Sequence, residues 1–298
     1  MAITRRHLDQ LRRDGFAVVR GFLGKRELAA AQKAMFQLVP TEREWREAPG
    51  KYQAIVDEEP LHKLEFPHTD PALNHVAVHP QILSAIERLL GTPDILLARS
   101  AVWAKYAGSA DYDQEMHVDF EGNTLVVPRD DGDYRQINLI VYYSDVDERH
   151  GPTMVVPRRF VNDDDPAALW PARRYRQQFP EAYEHEQPVL ARAGDLLLFS
   201  MRTFHRGSQI TAAHGTRFTH HLVYRAARHL FQGYQCWPSF GELPLMQQFL
   251  EWATPRQREA IGFPAAGDPY WNDATIQAVS LRYPAMDMSP YRRKRRRP

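Results

Sequence analysis

Between residues 193 and 225 the chain reads AGDLLLFSMRTFHRGSQITAAHGTRFTHHLVYR, two strand-forming stretches (196–199 and 217–224) joined by a polar link. A Gly-Asp turn opens the first, and short apolar runs bounded by Gly, Asp and Ser are strands. The same grammar recurs at residues 95–98, 101–106, 137–143 and 153–156. Many short strands between polar turns indicate an antiparallel barrel or sandwich rather than alternating βα units. In the 137–143 run, Ile137, Leu139, Val141 and Tyr143 fall on one face. The expected fold class is mainly β with flanking α-helices.

The flanks read as helices. Thr4 is placed to cap a helix that carries Leu8 and Leu11 on one face and ends at Gly15, before a strand at 16–19. Residues 25–39 repeat apolar positions at helical spacing up to Pro40, and Pro80 starts a helix that runs to Leu90 with Gly91 as its stop. Residues 41–79 read as loops and short helices able to cover a pocket. The stretch 162–187 shows no strand alternation and is expected to be an insertion carrying a helix. Helices return after 229, for example over 243–252. The resulting organisation is one domain over 1–298: a helical prelude 1–92, a β core at about 93–228, a helical C-terminal region 229–290 and a basic tail 291–298. With 43% apolar and 11% aromatic residues in 298, a core of that size can be filled.

Charge and cysteine content exclude several functions. The chain carries a net charge of +1, yet six basic residues lie in the tail segment 292–297, so the body is slightly acidic. That body lacks the basic footprint of a nucleic-acid binder, and nucleic acid is not expected as a partner. The tail reads as a solvated terminus. A single cysteine, Cys236, rules out a disulfide framework and a thiolate-rich metal site. No apolar run approaches about 18 residues, so no membrane span is expected, and a cytoplasmic location is the default.

The His-x-Asp pattern occurs three times, at His7/Asp9, His68/Asp70 and His117/Asp119. The first pair lies on an expected helix, where residues two apart point to different sides. The second precedes Pro71, where Asp70 is better placed as a cap. Only His117 and Asp119 fall in the strand region, where positions i and i+2 share a face and can serve one metal. Among the other histidines, His205 has the best setting for a third ligand, directly after a buried strand. Two histidines and one carboxylate with open positions suit non-haem Fe(II). Arg217 opens the next strand. If it points inward it needs an anionic partner, which a dicarboxylate cosubstrate would supply, and Thr219 on the same face adds a hydroxyl.

Four stretches carry a resemblance to a known family: LRRDGFAVVRGFL, MHVDF, YYSDVDERHGPTMVVP, and AGDLLLFSMRTFHRGSQI through Arg217. Together they resemble the phytanoyl-CoA dioxygenase family of Fe(II)/2-oxoglutarate oxygenases. The resemblance implies a double-stranded β-helix (a jelly-roll, cupin-like barrel). It also implies His117, Asp119 and His205 as iron ligands, and Arg217 on the far carboxylate of 2-oxoglutarate. In that frame Lys105 and Thr219 are cosubstrate-pocket residues, while Trp103, Phe120 and the insertion shape the pocket. The implied reaction is hydroxylation of an unactivated C–H bond of a small molecule, using O₂ and releasing succinate and CO₂. Asp119 stands where related halogenases carry a small residue, which favours hydroxylation. The chain departs from the family after Pro157, where Arg158-Arg159-Phe160 replaces the usual Gly-Ser-His. A cupin-like metal enzyme that does not use 2-oxoglutarate, or a non-catalytic ligand-binding barrel, is the alternative.

Overall fold

The computed structural model describes residues 2–57, 66–109, 113–119, 136–161, 169, 171–229, 237–241 and 243–292. Phe120, Cys236, the start of the expected insertion (162–168) and the basic tail from 293 onward lie outside the described residues. Among the described residues, ten strands form two antiparallel five-stranded sheets. They are β1 (Phe16–Val19), β2 (Ile95–Tyr106), β3 (Met116–His117), β4 (Gln136–Tyr142), β5 (Thr153–Val155), β6 (Arg173–Arg174), β7 (Gln187–Val189), β8 (Leu196–Ser200), β9 (His205–Gly207) and β10 (Thr216–Ala226). The major sheet runs β1-β8-β4-β10-β2 and the minor sheet β6-β3-β9-β5-β7. This is a jelly-roll with flanking helices, the fold that the family resemblance implies, and it meets the strand grammar's expectation of an antiparallel barrel or sandwich.

The major sheet is covered on both faces. All seven residues of β4 are buried. Ile137, Leu139, Val141, Leu196 and Leu198 face the helices, in one continuous apolar cluster with Leu8, Leu11, Ile82, Ile86 and Phe249. Their alternates Ile140, Tyr142, Leu197 and Phe199 pack inward with Val155 and Val189. The two-residue period of a strand sorts the side chains this way. Each large aliphatic or aromatic side chain moved from water into such a layer contributes about 1.5–3 kcal/mol.

Local chemistry explains the element boundaries. The first helix, α1 (Arg5–Asp14), closes on Gly15 in the left-handed conformation (φ 82°). The helix Pro80–Leu90 closes in the same way on Gly91 (φ 69°). Asp195 ties the N-terminal strand to the turn before β8: its carboxylate accepts from the Gly21 and Arg192 amides at 2.7 and 2.9 Å and from Arg20 Nη1 at 2.7 Å. Within the span 41–79 the described residues form three short helices, Glu42–Glu47, Pro49–Asp57 and Pro71–Ala77. Beyond 237, helices at Pro244–Trp252, Pro255–Glu259 and Asp273–Arg282 pack onto the layer already formed by the N-terminal helices. None of the described helices is long and apolar enough to cross a membrane.

Two expectations need correcting. Residues 95–98 and 101–106 are one strand, because a bulge takes up the irregularity: Val223 pairs with Arg99 while Tyr224 pairs with Leu97, leaving Ala98 unopposed. The helix from Lys25 stops at Met35 rather than 39. Phe36 leaves the helix there and meets Phe218 edge-on at 5.4 Å. The described part of the expected insertion extends the minor sheet through β6 and carries a 3₁₀ turn, Pro180–Tyr183.

A polar cluster sits within the helix-facing layer. Ser100 Oγ lies 2.8 Å from His220 Nε2 and 3.0 Å from His68 Nε2, and the Tyr143 hydroxyl lies 2.9 Å from His220 Nδ1. Burial pushes His68 down to about 3, and burial with the neighbouring His68 pushes His220 well below the usual imidazole value. Both rings are therefore neutral when folded, whereas in the unfolded chain they gain protons near pH 6.5. Stability should be fully retained above that value and lost progressively as pH falls from 6.5 toward 3. Urea midpoints measured between pH 7 and 4 check this, and His68→Gln should make the fall shallower.

Candidate metal centre

Two of the shortest strands build the centre. β3 and β9 pair antiparallel with His117 directly opposite His205, and the ring centroids are 4.5 Å apart. Asp119, two residues on, turns its carboxylate back toward both rings. Its Oδ1 lies 3.7 Å from His117 Nε2 and its Oδ2 3.5 Å from His205 Nε2. One ligand atom from each of the three lies within 4.8 Å of the others, the only such triad among the described residues.

The ring orientations are set by the backbone. His117 Nδ1 meets the carbonyl of Glu115 at 2.7 Å, and His205 Nδ1 meets that of Thr203 at 2.9 Å. A carbonyl only accepts, so each Nδ1 carries a proton and each Nε2 is the atom turned to the centre. Burial, with the nearby His205, lowers His117 to about 4 against the opposing pull of Asp119, so the ring is neutral near pH 7. Asn138 Nδ2 donates to Asp119 Oδ2 at 2.5 Å, leaving Oδ1 for a metal. Two imidazoles aimed by their Nε2 atoms and a carboxylate with one oxygen held aside are a donor set that fits a divalent iron.

The three side chains line a cavity of about 160 Å³ that also exposes Arg217, Lys105, Gln114, Trp103 and Arg99. Arg217 is 8% exposed and sits opposite Lys105 on the adjacent strand. Its Nη1 donates to the Gly151 carbonyl, which bridges β10 to the minor sheet. Gly151 has φ +65°, and a Cβ there would come within 2.7 Å of the Ser208 carbonyl, so no other residue type fits without a shift. Gly207 is a second close approach: a Cβ would lie 2.9 Å from Gln114 Oε1 and 3.6 Å from Arg217 Nη2. Thr219 shares the strand face of Arg217, but its hydroxyl meets His221 Nε2 at 3.1 Å and it is not part of the cavity wall. His221 is held neutral, far below its usual value, by burial and by the charges of Arg99 and Arg217.

The structure thus brings His117, Asp119, His205, Arg217 and Lys105 to one cavity. Neither of the other two His-x-Asp pairs reaches the cavity: His68 belongs to the Ser100–His220 cluster, and His7, Asp9 and Asp70 play local roles. His7 Nδ1 accepts from the Thr4 amide at 3.1 Å, and Asp9 pairs with Arg12. Asp70 caps its helix through the Ala72 amide at 2.8 Å. Asn138, His221 and Gln114 escaped the sequence reading. For the first two the signal was present: Asn138 is a polar residue within the apolar run 137–142, and His221 is in phase with Arg217 and Thr219 on its strand.

Comparison with known proteins places this geometry in context. The family model described as phytanoyl-CoA dioxygenase (PhyH) matches residues 11–219. No curated protein matches the chain. Among solved structures, HygX from Streptomyces hygroscopicus, crystallised with nickel and 2-oxoglutarate, is similar at TM-score 0.55 and 16% identity, covering 78% of this chain and 90% of its own. The α-ketoglutarate-dependent epimerase SnoN is similar at TM-score 0.51 and 20% identity, over 74% of this chain and 82% of its own. The α-ketoglutarate-dependent carbocyclase SnoK from nogalamycin biosynthesis is similar at TM-score 0.53 and 19% identity, over 78% of this chain and 88% of its own. These likenesses bear on the fold.

Asn138 offers a direct check on the centre. Asn138→Leu should leave the sheet folded, because the position is buried in β4, yet free Asp119 to rotate. Metal affinity should fall about 10–100-fold, read by competition of Co(II) against a chelator.

Proposed function

The chain belongs to the phytanoyl-CoA dioxygenase family, and on that footing we propose that it hydroxylates an unactivated C–H bond of a small molecule, with Fe(II), 2-oxoglutarate and O₂ as co-reactants. One observation carries the reading: the His117, Asp119 and His205 donors converge on the wall of a cavity that also holds Arg217 and Lys105. When bound, iron with 2-oxoglutarate supplies oxygen activation and the oxidising power for C–H cleavage, with succinate and CO₂ as by-products.

The residues of this chain do the positioning. His117 and His205 hold the metal through Nε2, with their tautomers set by the Glu115 and Thr203 carbonyls. Asp119 adds one oxygen while Asn138 restrains the other. Arg217, already oriented by the Gly151 carbonyl, presents its planar fork to the distal carboxylate of the cosubstrate. Lys105 opposite adds a second positive charge. Thr219 contributes through His221, keeping the ring in one orientation beside the cosubstrate. The neutral state of His221 avoids a third cation at that end.

The substrate end lies away from Arg217. Arg99 is on the same strand face as Lys105, six residues distant, which is about 20 Å along an extended strand. It sits opposite Val223, which in turn opposes Asn138. A cation there suits a substrate with an acidic or hydrogen-bond-accepting group, and Trp103 offers an aromatic wall between the two ends. We read the helical prelude, barrel and C-terminal helices as one catalytic unit, because a single apolar cluster runs through all three.

The test is anaerobic titration with Fe(II) and then 2-oxoglutarate, following the weak visible charge-transfer band. The band should require both components and vanish in Asp119→Ala; a chain that binds iron without it would favour the cupin-like alternative. Arg217→Gln should raise the KM for 2-oxoglutarate by about 10–100-fold, the loss expected for one charge-assisted bidentate contact of about 1.5–3 kcal/mol. The corresponding readout is succinate release at varied 2-oxoglutarate.

A further inference from the structure

We infer that Arg202 is the centre of a small-anion site on the helix-facing side of the barrel, separate from the metal cavity. Arg202 lies in the turn between β8 and β9 and is only 6% exposed. Its backbone is fixed: the Arg202 amide donates to Ser200 Oγ at 3.2 Å and the Thr203 amide to the Ser200 carbonyl at 2.9 Å. The Thr203 hydroxyl donates to the Gly15 carbonyl at 2.7 Å. The guanidinium, in contrast, has both Nε and Nη2 buried with no hydrogen-bond partner.

A guanidinium keeps its charge at any pH a protein survives, so it cannot relieve burial by losing a proton. An ionised group taken from water without a counter-charge is among the most costly arrangements in a fold. The site around it is made for an anion. Arg202 lines a small cavity together with Arg12, Arg158, Leu11, Leu89 and Phe204. Asp9 answers Arg12 at 3.1 Å. No carboxylate among the described residues lines the cavity. Its solvent-sized space is about 20 Å³, enough for one water-sized guest. A single anion of chloride size fits that space, takes hydrogen bonds from Nε and Nη2 together, and supplies the missing charge. A phosphate or a metabolite does not fit without opening the turn.

The experiment is thermal unfolding of the full chain loaded anaerobically with Fe(II), in sodium chloride against sodium gluconate at equal ionic strength. Chloride at ten times its dissociation constant should raise Tm by about 3 °C, saturably. Arg202→Met keeps the apolar stem and removes the charge. It should abolish the chloride response and unfold in gluconate at or above the wild-type temperature. Equal wild-type Tm in the two salts would overturn the proposal. That result is expected if a carboxylate of Asp163, Asp164 or Asp165, which follow Val161 in sequence, meets Arg202 instead. A chloride response that survives in Arg202→Met also overturns it, since the ion then binds elsewhere, for example at the metal. Should Arg202→Met not fold, bromide-soaked wild-type crystals decide: an anomalous peak within hydrogen-bond reach of Arg202 supports the site, and peaks only at other positions overturn it.

Discussion

The pairing of β3 with β9 is the constraint on which the centre depends. An antiparallel register that sets His117 opposite His205 brings two imidazoles from residues 88 positions apart into contact. A slip of one residue would turn one of the rings to the other face of the sheet. Two short strands have few ladder bonds of their own, so the register is held from outside. β6 and β5 flank the pair on either side, and the Gln114 amide donates to the Gly207 carbonyl at 2.9 Å. Gln114 Oε1 in turn accepts from the Gly207 amide at 2.8 Å, closing a clamp around the end of β9.

The carboxylate arm is supported from the opposite sheet. Asn138, on the central strand of the helix-backed sheet, reaches across the barrel to Asp119. The metal centre is therefore fastened to both sheets, and the rigid helix layer behind β4 bears on its geometry. β10 shows the same coupling within one strand. His220 faces outward into the Ser100–His68–Tyr143 cluster, while His221 faces the cavity between Arg99 and Arg217. Burial holds both rings neutral, in different settings: one completes a polar network inside an apolar layer, and the other lies among the charges of Arg99 and Arg217.

Much of the architecture was legible because alternation in a strand is a local property. The inward and outward sets of the 137–143 run, the caps at Gly15 and Gly91, and Asp70 as a cap all follow from neighbours within a few residues. The misreadings occurred where a distant contact overrides local preference. Arg99-Ser100 looked like a break in a strand, yet Ser100 is satisfied by His68 and His220 from elsewhere and the bulge at Ala98 lets the strand continue. Phe36 could have prolonged its helix but packs on Phe218. Residues 173–174 lack strand character of their own and become a strand by pairing with β3.

By itself, the sequence determined the fold class, the short list of metal-ligand candidates and the preference for His117/Asp119 over two identical patterns. Period and turn chemistry are written in consecutive residues. Only the tertiary structure decided which side chains meet. The tautomers of His117 and His205 depend on carbonyls two residues away in a particular backbone path. The restraint on Asp119 comes from a strand in the other sheet, and the orientation of Arg217 from a carbonyl 66 residues upstream. The last two are long-range contacts whose energy exists only once the two sheets have closed on each other, so no short window of the sequence contains them.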